Sequence, residues 1–154
     1  MGRQVYVDAV RGRHGSYEEW VAEFARKWQR GRASAEDFMD LMGPEIRLIA
    51  PGLRPTIGRD AGTEAFRRAF MVMPDLTATV SRWAERGDRL FIEMTFEATV
   101  GGRRIAWPNV DRFVFEGGYA VERAAYFNPM KVRSAFLRSP SGWMQLVKRR
   151  WVGL

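Results

Sequence analysis

At Asp75 the spacing of apolar residues changes, and this constrains the fold more than any other feature of the chain. Before Asp75 apolar side chains recur every three or four positions, and after it every second position. Trp20, Val21, Phe24 and Trp28 form one helical stripe, opened by Ser16 with Glu19 as a capping box and ended by Gly31. Ser34 opens a short second helix with Phe38, Leu41 and Met42, which Gly43-Pro44 stops. Residues 45–50 read as a strand and 51–58 as a loop. Asp60 caps a third helix, whose buried face is Phe66, Ala69, Phe70 and Met73 and which ends at Pro74. Beyond Asp75, Leu76, Ala78 and Val80 alternate with Thr77, Thr79 and Ser81. Leu90, Ile92, Met94, Phe96 and Ala98 alternate with Glu93, Thr95, Glu97 and Thr99, the two glutamates reading as exposed. Strand 104–115 turns Trp107, Asn109, Asp111, Phe113 and Phe115 to one face. Glycine turns separate these strands from each other and from a last strand, 119–127, which Asn128-Pro129 ends before a short basic helix, 130–137.

This order predicts an α+β cone, three N-terminal helices packed on a strongly curved, mostly antiparallel sheet that encloses a pocket. Residues 1–15 read as a tail that adds little stability, 16–139 as the domain, and 140–154 as an amphipathic extension. In that extension Trp143, Leu146, Val147 and Trp151 recur at helical spacing beside Lys148-Arg149-Arg150. Packing on this domain or on a second subunit is preferred over an anionic membrane surface.

With no cysteine and His14 as the single histidine, thiolate nucleophiles, zinc knuckles, a Ser-His-Asp triad and histidine-rich metal sites drop out. Neither a metal nor a cofactor is expected. The net charge of +7 comes from arginines scattered through every segment, without a nucleic-acid-binding pattern, and reads as a solvated surface. No apolar run reaches the ~18 residues of a membrane span and no signal-peptide core precedes the first helix, so a cytoplasmic protein is expected.

Asp111 carries the chemistry. Alternation sends it inward with Trp107, Phe113 and Phe115, where a carboxyl must be protonated, paired or hydrogen-bonded. Asn109 is its nearest polar companion. The functional reading is an acid/base or anchoring group; the alternative is an aspartate tied structurally to backbone N–H groups or an arginine. A three-residue loop with Gly118 as its bulge would pair Phe115 with Tyr119, set Asp111 opposite Arg123 and turn Val121, Arg123, Ala125 and Phe127 inward. A two-residue loop would present Glu122, Ala124, Tyr126 and Asn128 and leave Asp111 facing Ala124. The first buries more apolar residues and is preferred. The candidate site is thus Asp111 as the catalytic group, with Trp107, Asn109, Phe113, Arg123, Phe24 and Trp28 as binding residues. The stripe of Trp20, Phe24 and Trp28 reads first as core, merging into a ligand wall in a cone. An open outer face bearing Val110, Val114 and Ile105 predicts a homodimer.

Gly58-Arg59-Asp60-Ala61, Met73-Pro74-Asp75-Leu76 and the run 111–118, followed by Tyr126-Phe127-Asn128, resemble in order and spacing the SnoaL-like proteins of the nuclear-transport-factor-2-like superfamily. The resemblance spans about residues 16–138. It implies a site for a small hydrophobic, carbonyl-bearing molecule, such as a polyketide, steroid or terpenoid, and cofactor-independent isomerisation, cyclisation or dehydration. SnoaL-like cyclases usually carry an acid where the last strand ends, here Asn128. The aspartate with which ketosteroid isomerases donate to the dienolate oxygen corresponds to Asp111, whereas their base falls on Ala50 and their helix-one tyrosine near Phe24. The Arg-x-Asp of limonene epoxide hydrolases falls on Phe91 and Glu93, and their second aspartate near Ala125. Two readings stay open, an enzyme using Asp111 and a non-catalytic ligand-binding or accessory protein.

Overall fold

The computed structural model describes residues 16–151; the tail 1–15 and the last three residues lie outside the described residues. Helix α1 (Tyr17–Arg30) opens with the expected capping box, Ser16 Oγ accepting from the Glu19 backbone N–H at 3.3 Å and the Glu19 carboxylate accepting from that of Ser16 at 3.2 Å. It closes at Gly31, φ 55°, where a Cβ would stand 2.7 Å from the Leu76 carbonyl oxygen. Only glycine allows that approach.

The expected second helix is replaced by two 3-10 turns, Gly31–Ser34 and Phe38–Leu41. Strand β1 (Met42–Ile49) then runs straight through Gly43-Pro44, which was expected to be a stop. The reason is tertiary. A Cβ on Gly43 would lie 3.1 Å from the Ala120 carbonyl oxygen, so glycine lets β1 approach its neighbour closely. Pro44 falls in the interrupted pairing between Met42 and Arg47, where its missing N–H is tolerated. A two-residue strand, β2 (Thr56–Ile57), lies within the expected loop. Helix α2 (Arg59–Val72) takes Gly58, not Asp60, as its N-cap. Asp60 sits in the first turn, where its charge favours the helix N-terminus.

The meander follows as β3 (Thr77–Arg86), β4 (Arg89–Val100), β5 (Arg103–Glu116) and β6 (Tyr119–Tyr126), then helices α3 (Pro129–Leu137) and α4 (Pro140–Trp151). The sheet order is β2-β1-β6-β5-β4-β3, antiparallel throughout except for the parallel pair β1–β6. The inner face is as alternation requires, with Leu90, Ile92, Met94, Phe96 and Ala98 of β4 buried beside Trp107, Asn109, Asp111, Phe113 and Phe115 of β5. Trp20 packs edge-on against Phe113 at 4.8 Å between ring centroids, and Phe38 stacks on Phe66 at 4.5 Å. Ahead of β3, Asp75 accepts bonds from the Thr99 hydroxyl and backbone N–H, and these hold its carboxyl below the usual carboxylate range.

One outer-face expectation is corrected. Val110 is exposed on the outer face, but Ile105 pairs with buried Ala98 and packs on the core. Ile105 has the parity of Trp107, so alternation turns it inward. The C-terminal helix is fastened by Gln145, which accepts from the Gly101 N–H at 2.9 Å and donates to the Val72 carbonyl at 3.1 Å. Trp143 does not clamp this domain: it is 55% exposed, and with Leu137, Met144 and Val147 borders a surface groove of about 540 Å³. The side chains of Leu146 and Trp151, the rest of the expected stripe, lie outside the described residues. Among the described residues no helix is long and apolar enough to cross a membrane.

Candidate functional site

The inner face of β5 places Asn109 and Asp111 two residues apart and both buried. Asn109 Nδ2 donates to Asp111 Oδ1 at 2.8 Å, and Arg123 Nε donates to Oδ2 at 2.7 Å, with Arg123 Nη2 at 2.6 Å from the same oxygen. Asp111 is entirely buried, whereas 12% of the Arg123 side chain is exposed, so the polar chain runs from the core to the surface. The guanidinium carbon of Arg123 lies 5.5 Å from the Trp28 ring centroid and 5.7 Å from that of Phe66. Arg123 thus sits in an aromatic collar that tolerates its charge. A carboxylate only accepts hydrogen bonds, so the Asn109 amide must turn its nitrogen toward Asp111. That leaves Asn109 Oδ1 buried without a partner, and Trp28 Nε1 is buried and unpartnered as well.

How Arg123 reaches Asp111 corrects the expected register. The turn is the two-residue Gly117-Gly118, both at positive φ (56° and 83°), with Glu116 paired to Tyr119. Glycine at both central positions suits this tight hairpin. Phe115 then pairs with Ala120, not Tyr119, and a bulge shifts the ladder before Val114 meets Glu122. The extra residue restores the inward parity of Arg123 and Ala125. Arg123 therefore opposes Phe113 and meets Asp111 along the diagonal, while Ala125 stands directly opposite Asp111. The three-residue loop was wrong, and the inward face of Arg123 was right.

The other candidate residues divide into two neighbourhoods. Phe24 and Phe113 lie in the deep core with Trp20 and Phe115, Phe113 also opposing Arg123 across the β5–β6 ladder. Trp107 stacks on Phe96 at 5.5 Å, and Phe96 packs edge-on against Trp28 at 4.8 Å. Trp28, Phe66, Phe96 and Trp107 retain 4–7% of their surface, against 0–1% for Trp20, Phe24, Phe38, Phe113 and Phe115. The rings of Trp28 and Phe66 against Arg123, and of Phe96 next to Trp28, are thus slightly less buried than the deep core of the concave sheet face, the cup. Phe66 escaped the sequence reading as a site residue; its only signal was its place on the buried face of α2.

Glu93 and Glu97 pair with Arg82 and Arg104 at the surface, as expected. Asn128, at the position of the cyclase acid, is exposed and caps α3 by accepting from the Met130 N–H at 3.0 Å. The arrangement chemically offers a guanidinium held by a buried carboxylate, a fixed donor for a carbonyl or enolate oxygen. Both Asp111 oxygens already accept hydrogen bonds.

The fold has close counterparts among solved structures. A protein assigned as a SnoaL-like polyketide cyclase from Jannaschia sp. CCS1 superposes with a TM-score of 0.70 at 18% identity, covering 80% of this chain and 92% of that one. A protein of ketosteroid isomerase-like fold from Catenulispora acidiphila DSM 44928, in complex with trimethylamine, gives 0.69 at 16% identity, covering 76% and 91%. The epoxide hydrolase/cyclase-like enzyme SalBIII, of pyran ring formation in polyether salinomycin, gives 0.63 at 18% identity, covering 74% and 92%. Likeness at these identities is one of fold. Among curated proteins none matches the sequence significantly. The sequence pattern of the SnoaL-like domain matches residues 18–123, from the first turn of α1 to Arg123 itself. With more than half of its length matched, the chain belongs to the SnoaL-like domain family.

Proposed function

We propose that the domain binds a small, hydrophobic, carbonyl-bearing molecule of polyketide, steroid or terpenoid type in its cup and catalyses a cofactor-independent isomerisation, cyclisation or dehydration. Asp111 acts in this reading by holding Arg123. The supporting observation is the buried Asn109–Asp111–Arg123 chain set among aromatic rings, with its cation at the one end that meets solvent. When a proton leaves the carbon next to a carbonyl, negative charge develops on the oxygen. A preorganised guanidinium in a site poor in water stabilises that charge without reorganising. Asp111 balances the charge of Arg123 and fixes its plane, so the oxyanion contact falls to Arg123, where the family resemblance implied Asp111.

A thermal-shift screen against steroids, polyketides and terpenoids, followed by turnover assays on the hits, tests this. Arg123→Lys and Asp111→Asn, which replace or release the positioned guanidinium, are each expected to lower turnover by up to roughly 10²–10³-fold, the range for an oxyanion donor lost from its position. Binding without turnover, unchanged in Asp111→Asn, would establish the non-catalytic binder instead. That second reading is favoured by Asn128, an exposed helix cap where a cyclase acid would stand.

We also propose a homodimer through the outer sheet face, where Phe91, Val110 and Tyr126 are exposed on adjoining strands. Light scattering should give twice the chain mass; a monomer at high micromolar concentration would overturn it.

A further inference from the structure

We infer that the buried end of the ligand is uncharged and carries two polar groups: a carbonyl oxygen that accepts from the Trp28 indole N–H beside Arg123, and a hydroxyl that donates to Asn109 Oδ1. This rests on the ligand-binding reading above and specifies its substrate class as hydroxy-carbonyl compounds. The argument begins with two unpartnered atoms of opposite sense. Trp28 Nε1 donates, Asn109 Oδ1 accepts, and their residues are only 4% and 1% exposed. Folded proteins pair more than about nine in ten buried polar groups, so a lone donor and a lone acceptor around one ion pair need explaining. The other unpartnered buried atoms among the described residues, on Ser34, Asp37 and Arg112, belong to different surroundings, Ser34 ending the 3-10 turn after α1. Asp37 is engaged through its other oxygen with Lys27 and Arg30, and Arg112 pairs with Glu122. By contrast, Trp28 faces Arg123, Arg123 holds Asp111, and Asp111 holds Asn109, so these groups form one continuous chain.

Charge narrows the class further. Arg123 and Asp111 neutralise each other inside the cup. A ligand carboxylate would add a second desolvated negative charge beside Asp111, and an ammonium would meet Arg123. A neutral carbonyl and a hydroxyl incur neither cost and satisfy both lone atoms.

Four probes of similar size separate the contributions: phenacyl alcohol (carbonyl and hydroxyl), acetophenone (carbonyl only), ethylbenzene (neither) and phenylacetate (carboxylate). They are titrated into the full chain labelled at its indole nitrogens and followed by NMR, with Trp28→Phe identifying the Trp28 signal. The Trp28 N–H should shift with phenacyl alcohol and acetophenone but not with ethylbenzene. Phenacyl alcohol should bind about fivefold more tightly than acetophenone, the effect of one added hydrogen bond. Phenylacetate should bind at least about tenfold more weakly than phenacyl alcohol. Equal affinities for phenacyl alcohol and acetophenone, a silent Trp28 signal, or phenylacetate as the tightest probe would each overturn the inference. Ketone binding that depends on Arg123 yet ignores the hydroxyl would sink this inference and leave the proposed function standing. No binding of any probe at about 10 mM would overturn both. The wild-type titrations carry the test even if Trp28→Phe folds poorly, because the ligand series removes each contact from the other side.

Discussion

Replacing Arg123 with leucine is expected to destabilise the domain by about 3–5 kcal/mol in urea denaturation, because it strands the fully buried Asp111 carboxylate with Asn109 as its remaining side-chain donor. The double variant Arg123→Leu/Asp111→Leu should recover most of that loss, since both charges then leave the core together. The surface pair Arg82–Glu93 provides the contrast. Its side chains are 77% and 46% exposed, and removing it should change stability by less than about 1 kcal/mol. A cost for Arg123→Leu as small as that would show that the inner pair is solvated and that the cup lacks the dry interior its chemistry requires.

The second large effect is expected at Phe24. Phe24→Ala should cost about 3–5 kcal/mol, the range for emptying a buried aromatic site. Its ring is fully buried against Trp20, Trp28, Phe38 and Phe113, at centroid distances of 5.3–6.4 Å. The milder Phe24→Leu should lower the urea midpoint while leaving ligand affinity unchanged, because Phe24 packs in the deep core. If Phe24→Leu weakened binding as much as a change at Trp28, the cup would extend deeper than the accessible surface indicates.

Much of the architecture was legible because it depends on local rules. The capping box of Ser16 and Glu19, the stripe of α1 and the alternation of β4 and β5 each follow from backbone geometry within a few residues. For the same reason Asn109 and Asp111 were placed inward from their parity alone. Two misses were local, the cap of α2 at Gly58 and the inward parity of Ile105; the larger ones involve partners distant in sequence. Nothing near Gly43-Pro44 announces that β6 will run parallel beside it, so a usual helix stop was read where a strand passes. Phe66 is an ordinary core residue of α2 until Arg123, fifty-seven positions later, extends over its ring.

The hairpin after Glu116 shows where the division lies. The glycines at 117 and 118 identify a turn from sequence, but whether one residue bulges afterward depends on how β6 must lie against both β5 and β1. That single bulge decides whether Arg123 points to the core or to solvent. The sequence by itself determined that an aspartate and an asparagine face an aromatic interior, because side-chain direction along a strand has a period of two. Only the tertiary structure decided that an arginine meets them, because pairing across strands is set by the summed packing of three strands and two helices, which no short stretch of chain encodes.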